Sequence, residues 1–129
     1  MSSQILTAFN DHFVEFVNDI LSIFPNEPDL LAAKNAFGLI RRANPKMIIK
    51  IWHGYVSTKY SKEIGEGDIR FFVDKDYGTD LANTDNSDKI IEAIDRLRNP
   101  VKMMNADEQQ KTMKYIQNLK KLSDIYHST

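Results

Sequence analysis

The side chains with the widest chemical range in this chain are three histidines, His12, His53 and His127. Imidazole is the commonest metal ligand and the side chain that changes charge near neutral pH. None of the three has a second histidine three or four residues away, the spacing that sets two ligands on one helix face. The spacing therefore predicts histidines scattered over surfaces and helix ends, with no metal site. The chain has no cysteine, so thiolate nucleophiles, disulfides and Cys-based zinc sites are excluded, and a reducing compartment is favoured. No Gly-x-Ser-x-Gly elbow is present. Gly65-Glu66-Gly67 lacks the remaining glycine and the preceding strand of a dinucleotide-binding turn, and there is no P-loop. No catalytic residue and no cofactor is expected, and the chain is read as not an enzyme.

Acidic residues come nearest to a ligand pattern between Asp74 and Asp85. Asp74, Asp76 and Asp80 stand at positions 1, 3 and 7 of a twelve-residue calcium loop and Asp85 at position 12. Calcium loops place oxygen ligands on alternate residues, with glycine at position 6 and a bidentate Glu at 12. Here Gly78 falls at position 5, and the shorter Asp85 side chain reaches bidentate geometry less readily. An acidic, solvated loop is the better account.

Cations give the strongest pattern. The formal net charge is −1, yet the charges are sorted along the chain. Residues 1–33 carry five acids and neither Lys nor Arg, whereas residues 34–62 carry Lys34, Arg41, Arg42, Lys46, Lys50, Lys59 and Lys62 and no acid. Residues 63–95 return to −7, and 96–129 to +4. A one-signed surface produces a local field that the whole-molecule charge conceals. Lys46, Lys50 and His53, at i, i+4 and i+7, share a helix face, and Arg41 and Arg42 sit at the preceding corner. Arg41, Arg42, Lys46, Lys50, His53 and Lys59 are accordingly the candidate partner-binding residues. Two occupants fit such a surface. One is another protein. The other is a nucleic-acid backbone met by Arg41, Arg42, Lys46 and Lys50, although the pI of 6.3 is far below the roughly 9 of dedicated nucleic-acid binders. A simpler account is that the basic blocks pair with the acidic ones across the fold. The aromatics Trp52, Tyr55, Phe71, Phe72 and Tyr77 could stack bases, but at helical spacing they read as core.

The elements that position these residues are helices. Leu6, Phe9, Phe13, Phe16, Ile20 and Ile23 alternate three and four apart, the stripe of one amphipathic helix. Ser2 or Ser3 can cap it and Pro25 stops it. A second helix opens with an Asn26-x-x-Asp29 capping box and Pro28 in its first turn. It buries Leu30, Leu31, Ala33, Phe37 and Ile40 and ends near Ala43, with Gly38 allowing close packing. Asn44-Pro45 restarts the chain into a third, central helix. Met47, Ile48, Ile51, Trp52, Tyr55 and Val56 form its apolar face, and it ends by Gly65. Gly67-Asp68 caps a short piece over 69–73, and a loop over 74–88 follows. A fifth helix opens at Ser87 or Asp88, buries Ile90, Ile91, Ile94 and Leu97, and stops at Asn99-Pro100. A second capping box, Asn105-x-x-Glu108, opens the last helix, whose apolar side is Tyr115, Ile116, Leu119, Leu122 and Tyr126.

The 129 residues, 42% hydrophobic and 27% charged, suit one globular domain spanning 1–129. The expected fold is all-α, a compact bundle of five to six helices. No run approaches the roughly 18 apolar residues of a membrane span. The N-terminal sequence has neither a basic leader nor an unbroken apolar stretch, so a secretory signal is not expected.

Three segments together carry a family likeness: Ala43-Asn-Pro-Lys-Met-Ile-Ile-Lys-Ile-Trp52, Gly67-Asp-Ile-Arg-Phe-Phe-Val-Asp-Lys-Asp-Tyr77 and Met113-Lys-Tyr-Ile-Gln-Asn-Leu119. They resemble short uncharacterised helical proteins encoded by large nucleocytoplasmic DNA viruses of algae and protists. The resemblance implies a setting in the host cytoplasm or viral factory, or packaging in the virion. It brings no catalytic residues. The sequence as a whole reads as a non-enzymatic, cytoplasmic helical protein that binds another protein, with nucleic acid as the alternative partner.

Overall fold

A computed structural model describes residues 2–73 and 87–128, with helix α1 over Ser2–Ile23, α2 over Pro28–Ala43, α3 over Met47–Trp52, a π-helical turn over His53–Ser57, α4 over Ser61–Glu66, α5 over Arg70–Val73, α6 over Ser87–Lys102 and α7 over Ala106–Ser128. No strand occurs among the described residues. With α3, the π turn and α4 counted as one tract, these are six helical units, the all-α bundle that the sequence predicts. The loop from Asp74, its calcium-like spacing through Asp85, and Tyr77 lie outside the described residues, as do the side chains of Phe71, Ile90 and Ile91.

The three-and-four spacing of α1 works as expected. Leu6, Phe9, Phe13, Phe16 and Ile20 are buried along it, and Ile23 packs at its edge. α1 lies chiefly against α7 and α2 chiefly against α6, while α3 touches α1, α2, α6 and α7. This position makes α3 the central element. Its Trp52 is completely buried. The indole meets Phe13 edge-on, with ring centroids 5.3 Å apart and planes at 86°, and Phe16 at 6.5 Å and 75°. Phe13 also meets Phe37 of α2 at 4.6 Å and 66°, and Phe9 at 5.9 Å. Edge-to-face pairs of this kind add to the burial energy because ring edges are positive and faces negative.

Several local expectations are corrected. α2 is capped by Glu27, whose carboxylate accepts from the Asp29 amide at 3.4 Å, and not by Asn26. Pro28 at the first helical position makes Glu27 the capping residue, one place later than the spacing implied. Leu31 is 46% exposed because the buried side of α2 is Leu30, Ala33 and Phe37. A Cβ at Gly38 would meet nothing within 4 Å, so no close helix packing depends on it. On α3, Ile49 joins Ile48, Trp52 and Val56 in the core, while Met47, Ile51 and Tyr55 lie at its margin. α4 closes on Gly67 at φ 73°, in the left-handed region, with Gly67 N–H donating to Ile64 O and Asp68 N–H to Glu63 O. Asp68 then caps α5 through a 3.1 Å bond from the Arg70 amide.

α6 runs through Pro100 to Lys102 instead of stopping at Asn99. So near a helix end a proline removes only one ladder bond, and the buried Pro100 and Val101 reward continuation. Within α6, Arg98 is 3% exposed. Its guanidinium donates to Phe72 O at 2.6 Å and Asp95 at 3.1 Å, and lies 4.6 Å from the Phe72 ring. Desolvation lowers its pKa to about 10, which leaves it protonated at neutral pH. The box opening α7 is reciprocal: Asn105 N–H donates to Glu108 Oε1 at 3.0 Å, and Glu108 N–H to Asn105 Oδ1 at 2.8 Å.

Two outcomes test this account by chemical denaturation. Phe13→Ala costs about 3–5 kcal/mol, the usual loss for truncating a buried phenylalanine; a loss under about 1 kcal/mol would contradict its place at the centre of the aromatic cluster. Asn105→Ala costs about 1 kcal/mol through its cap, whereas Asn26→Ala stays within about 0.5 kcal/mol because it caps nothing.

Candidate functional site

Two places concentrate chemistry. The first is the outer side of α2 and the start of α3, where the candidate cations cluster. Arg42, Lys46 and Lys50 are exposed there, together with Lys34. Arg42 Nε lies 3.5 Å from Gly38 O, a contact within its own helix. Lys34, Arg42, Lys46 and Lys50 meet no carboxylate among the described residues. Arg41 is different. Its guanidinium donates to Asp11 of α1 at 2.7 Å, so its charge is spent inside the fold. Lys59 is exposed beyond the π turn, with its ammonium 5.7 Å from the Tyr60 ring.

Exposed leucines run beside these cations. Leu39 is 63% and Leu31 46% exposed. Leu31, Asn35, Leu39 and Arg42, at i, i+4, i+8 and i+11, form one stripe on α2. The sequence assigned Leu31 to the core and did not single out Leu39. The available signal is the angular position of the two leucines, away from Leu30, Ala33 and Phe37.

The second place is the junction of the π turn with α7, and here His53 leaves the basic set. The π turn is closed by Thr58 N–H donating to His53 O at 2.9 Å. It carries the imidazole against α7, where Nδ1 lies 3.4 Å from both Ser123 Oγ and Asp124 Oδ1. Ser57 and Ser123 are fully buried, with their hydroxyls 2.9 Å apart. Ser123 Oγ donates to Lys120 O at 2.9 Å, which leaves Ser57 O–H to donate to Ser123. Lys120 Nζ holds Asp124 Oδ2 at 2.6 Å. His127 stacks on His53, with centroids 3.9 Å apart and planes 8° from parallel. Its Nδ1 lies 2.8 Å from Ser123 O; a carbonyl only accepts, so that nitrogen carries the proton.

Serine, histidine and aspartate thus meet, but not as a nucleophilic relay. In a relay the serine and the carboxylate engage opposite ring nitrogens, whereas Ser123 and Asp124 both face Nδ1. Both hydroxyls are also buried. The open groove beside them, about 530 Å³ between α4 and α7, is lined by Ser61, Ile64, Gln117, Lys120, Asp124 and Ile125 among others, and neither Ser57 nor Ser123 borders it. Burial holds the His53 imidazole below its ordinary pKa; His127 and Lys120 act in the same direction and Asp124 opposes them. No group of three or more His, Asp or Glu side chains able to hold a metal ion occurs among the described residues. Nor is any helix of the described residues long and apolar enough to cross a membrane.

Sequence reasoning found His53 but placed it with the lysines. It missed His127, Ser123 and Asp124 as its neighbours, which lie some 70 positions away and meet it only through the packing of α7 on the π turn, and it missed Ser57 of that same turn as the partner of Ser123. Comparison of the chain with protein-family models, curated proteins and solved structures finds no match.

Proposed function

We propose that this protein is a non-enzymatic helical module that binds another protein, host or viral, through the outer side of α2 and the start of α3. The observation that carries the reading is the mixture on that surface: Lys34, Arg42, Lys46 and Lys50, which meet no carboxylate among the described residues, beside the exposed leucines Leu31 and Leu39. The complementary occupant is an acidic amphipathic segment, whose carboxylates meet the cations while its apolar side covers the leucines. A phosphate backbone would use the cations but gain nothing from two leucines two helical turns apart. With Arg41 tied to Asp11, the free cations are also few for a binder that depends on neutralising phosphates. On this reading, the resemblance to proteins of large DNA viruses favours a partner in a viral factory, the host cytoplasm or the virion.

The test compares the full chain with Lys46→Glu/Lys50→Glu and with Leu39→Glu. All three side chains are exposed, so stability changes by no more than about 0.5 kcal/mol per site. Proteins captured from infected or expressing cells by the wild type are lost from both variants. Equal recovery from Lys46→Glu/Lys50→Glu rules this surface out. Measurable DNA or RNA binding that weakens steeply with salt, lost in the lysine variant and kept in Leu39→Glu, would replace the proposal with the nucleic-acid alternative.

A further inference from the structure

His53 and His127 are drawn from distant parts of the chain into parallel stacking at 3.9 Å, and the contact they make joins the π turn to the last turns of α7. We propose that this junction is a pH-sensitive latch, closed while both imidazoles are uncharged and released when both take up a proton. The latch is independent of the proposed partner surface. It rests on the stack, on the proton positions that its hydrogen bonds dictate, and on the charges around it.

The proton positions follow from the partners. His127 Nδ1–H donates to Ser123 O. His53 Nδ1–H faces the Asp124 carboxylate at 3.4 Å, and Ser123 Oγ sits equally near, already accepting from Ser57. In both neutral rings the nitrogen without a proton is therefore Nε2. A neutral pair of rings stacks without electrostatic cost, and one charged ring over a neutral one is tolerated. Two cations within about 4 Å repel strongly in a partly desolvated place. The groups facing His53 do not cancel this: among the described residues Asp124 is the one anion beside it, and its other oxygen is held by Lys120 at 2.6 Å, itself a cation. Tyr126 contributes a ring edge against His127 and no charge.

The sign of the pH dependence follows. His53 binds its proton less readily in the folded chain than at the ordinary value of 6.5. The unfolded or opened state therefore holds more protons as the pH drops. The contact is fully stable above about pH 6.5 and weakens progressively as the pH falls toward the lowered pKa. What loosens first is the end of α7 beyond Leu119, where Ser123 and His127 make the contacts with the π turn.

Hydrogen exchange of the full chain at pH 7.5 and pH 5.0, corrected for the intrinsic pH dependence of exchange, reads the latch directly. Protection across 120–127 falls about tenfold relative to α1 in the wild type. In His127→Phe, which keeps a flat ring on His53 but cannot be charged, the fall shrinks, and the part that burial of His53 imposes remains. His53→Phe behaves the same way; should its burial prevent folding, the exposed His127 variant still decides the matter. His12→Phe retains the wild-type fall. Constant protection in the wild type overturns the latch. So does a full-sized fall in His127→Phe, or its disappearance in His12→Phe.

Discussion

The packing of Trp52 against Phe13 is the contact on which the arrangement of this molecule turns. It joins the longest apolar stripe in the chain, on α1, to a helix too short to be stable by itself. α3 spans Met47–Trp52 and has no side-chain hydrogen bond at its N-cap. It is held by burial of Ile48, Ile49 and Trp52, and Phe37 brings α2 into the same cluster. Because the indole is locked inside, the opposite side of the tract faces water, and Lys46 and Lys50 follow. Among the described residues three side-chain atoms are buried without a protein partner: Trp52 Nε1, Asn10 Oδ1 and His12 Nε2. An unmet group of this kind costs about 1–3 kcal/mol, which ring packing on the indole offsets. Asn10 keeps a second purpose, since its amide donates to Pro45 O at 3.0 Å and pins the corner between α2 and α3.

From that fixed point the chain must still reach α4, and it does so through a π turn. The wider turn lets both His53 and Ser57 meet α7, with Val56 still buried. π turns inside helices occur often at functional sites, and here one carries an ionisable ring out of a row of lysines and into a packed junction. The i, i+4, i+7 rule that grouped His53 with Lys46 and Lys50 assumes an unbroken α-helix. It holds as far as His53, whose N–H still donates to Ile49 O; what sets this ring apart from the lysines is α7 packed against it.

How much was legible in the sequence follows the range of the interactions. The α1 stripe, the end of α2 at Ala43, the box at Asn105 and the cap at Asp68 each depend on residues within one or two turns, and the spacing of residue types reveals them. Leu31, Pro100 and Arg98 depend on what faces them. Leu31 is apolar and periodic, yet α6 packs one residue further round the helix. Pro100 is a stop signal that burial overrides. Arg98 looks like any helical surface arginine until Phe72 arrives with a carbonyl and a ring face. The candidate surface was half legible: its cations stand in an acid-free stretch, but only packing shows that Arg41 is taken by Asp11 and that leucines flank the rest.

The charge pattern carries the same lesson one step further. Cations from three helices answer the acids of the first block: Asp11 pairs with Arg41 at 2.7 Å, Asp29 with Arg96 at 3.0 Å and Asp19 with Lys111 at 3.4 Å. This is pairing across the bundle, as an account based on internal neutralisation requires. Such exposed pairs each contribute only about 0–1 kcal/mol, so stability does not explain why charge is sorted along the chain. The pairing also stops short. Lys34, Arg42, Lys46 and Lys50 stay on one side and meet no carboxylate among the described residues, and their mutual repulsion is weakly unfavourable and screened beyond about 10 Å. A fold seeking only its own stability could relieve that repulsion by a single acid anywhere in 34–62, and none is present. The residual field lies on the outer side of α2 and the start of α3, beside the exposed Leu31 and Leu39.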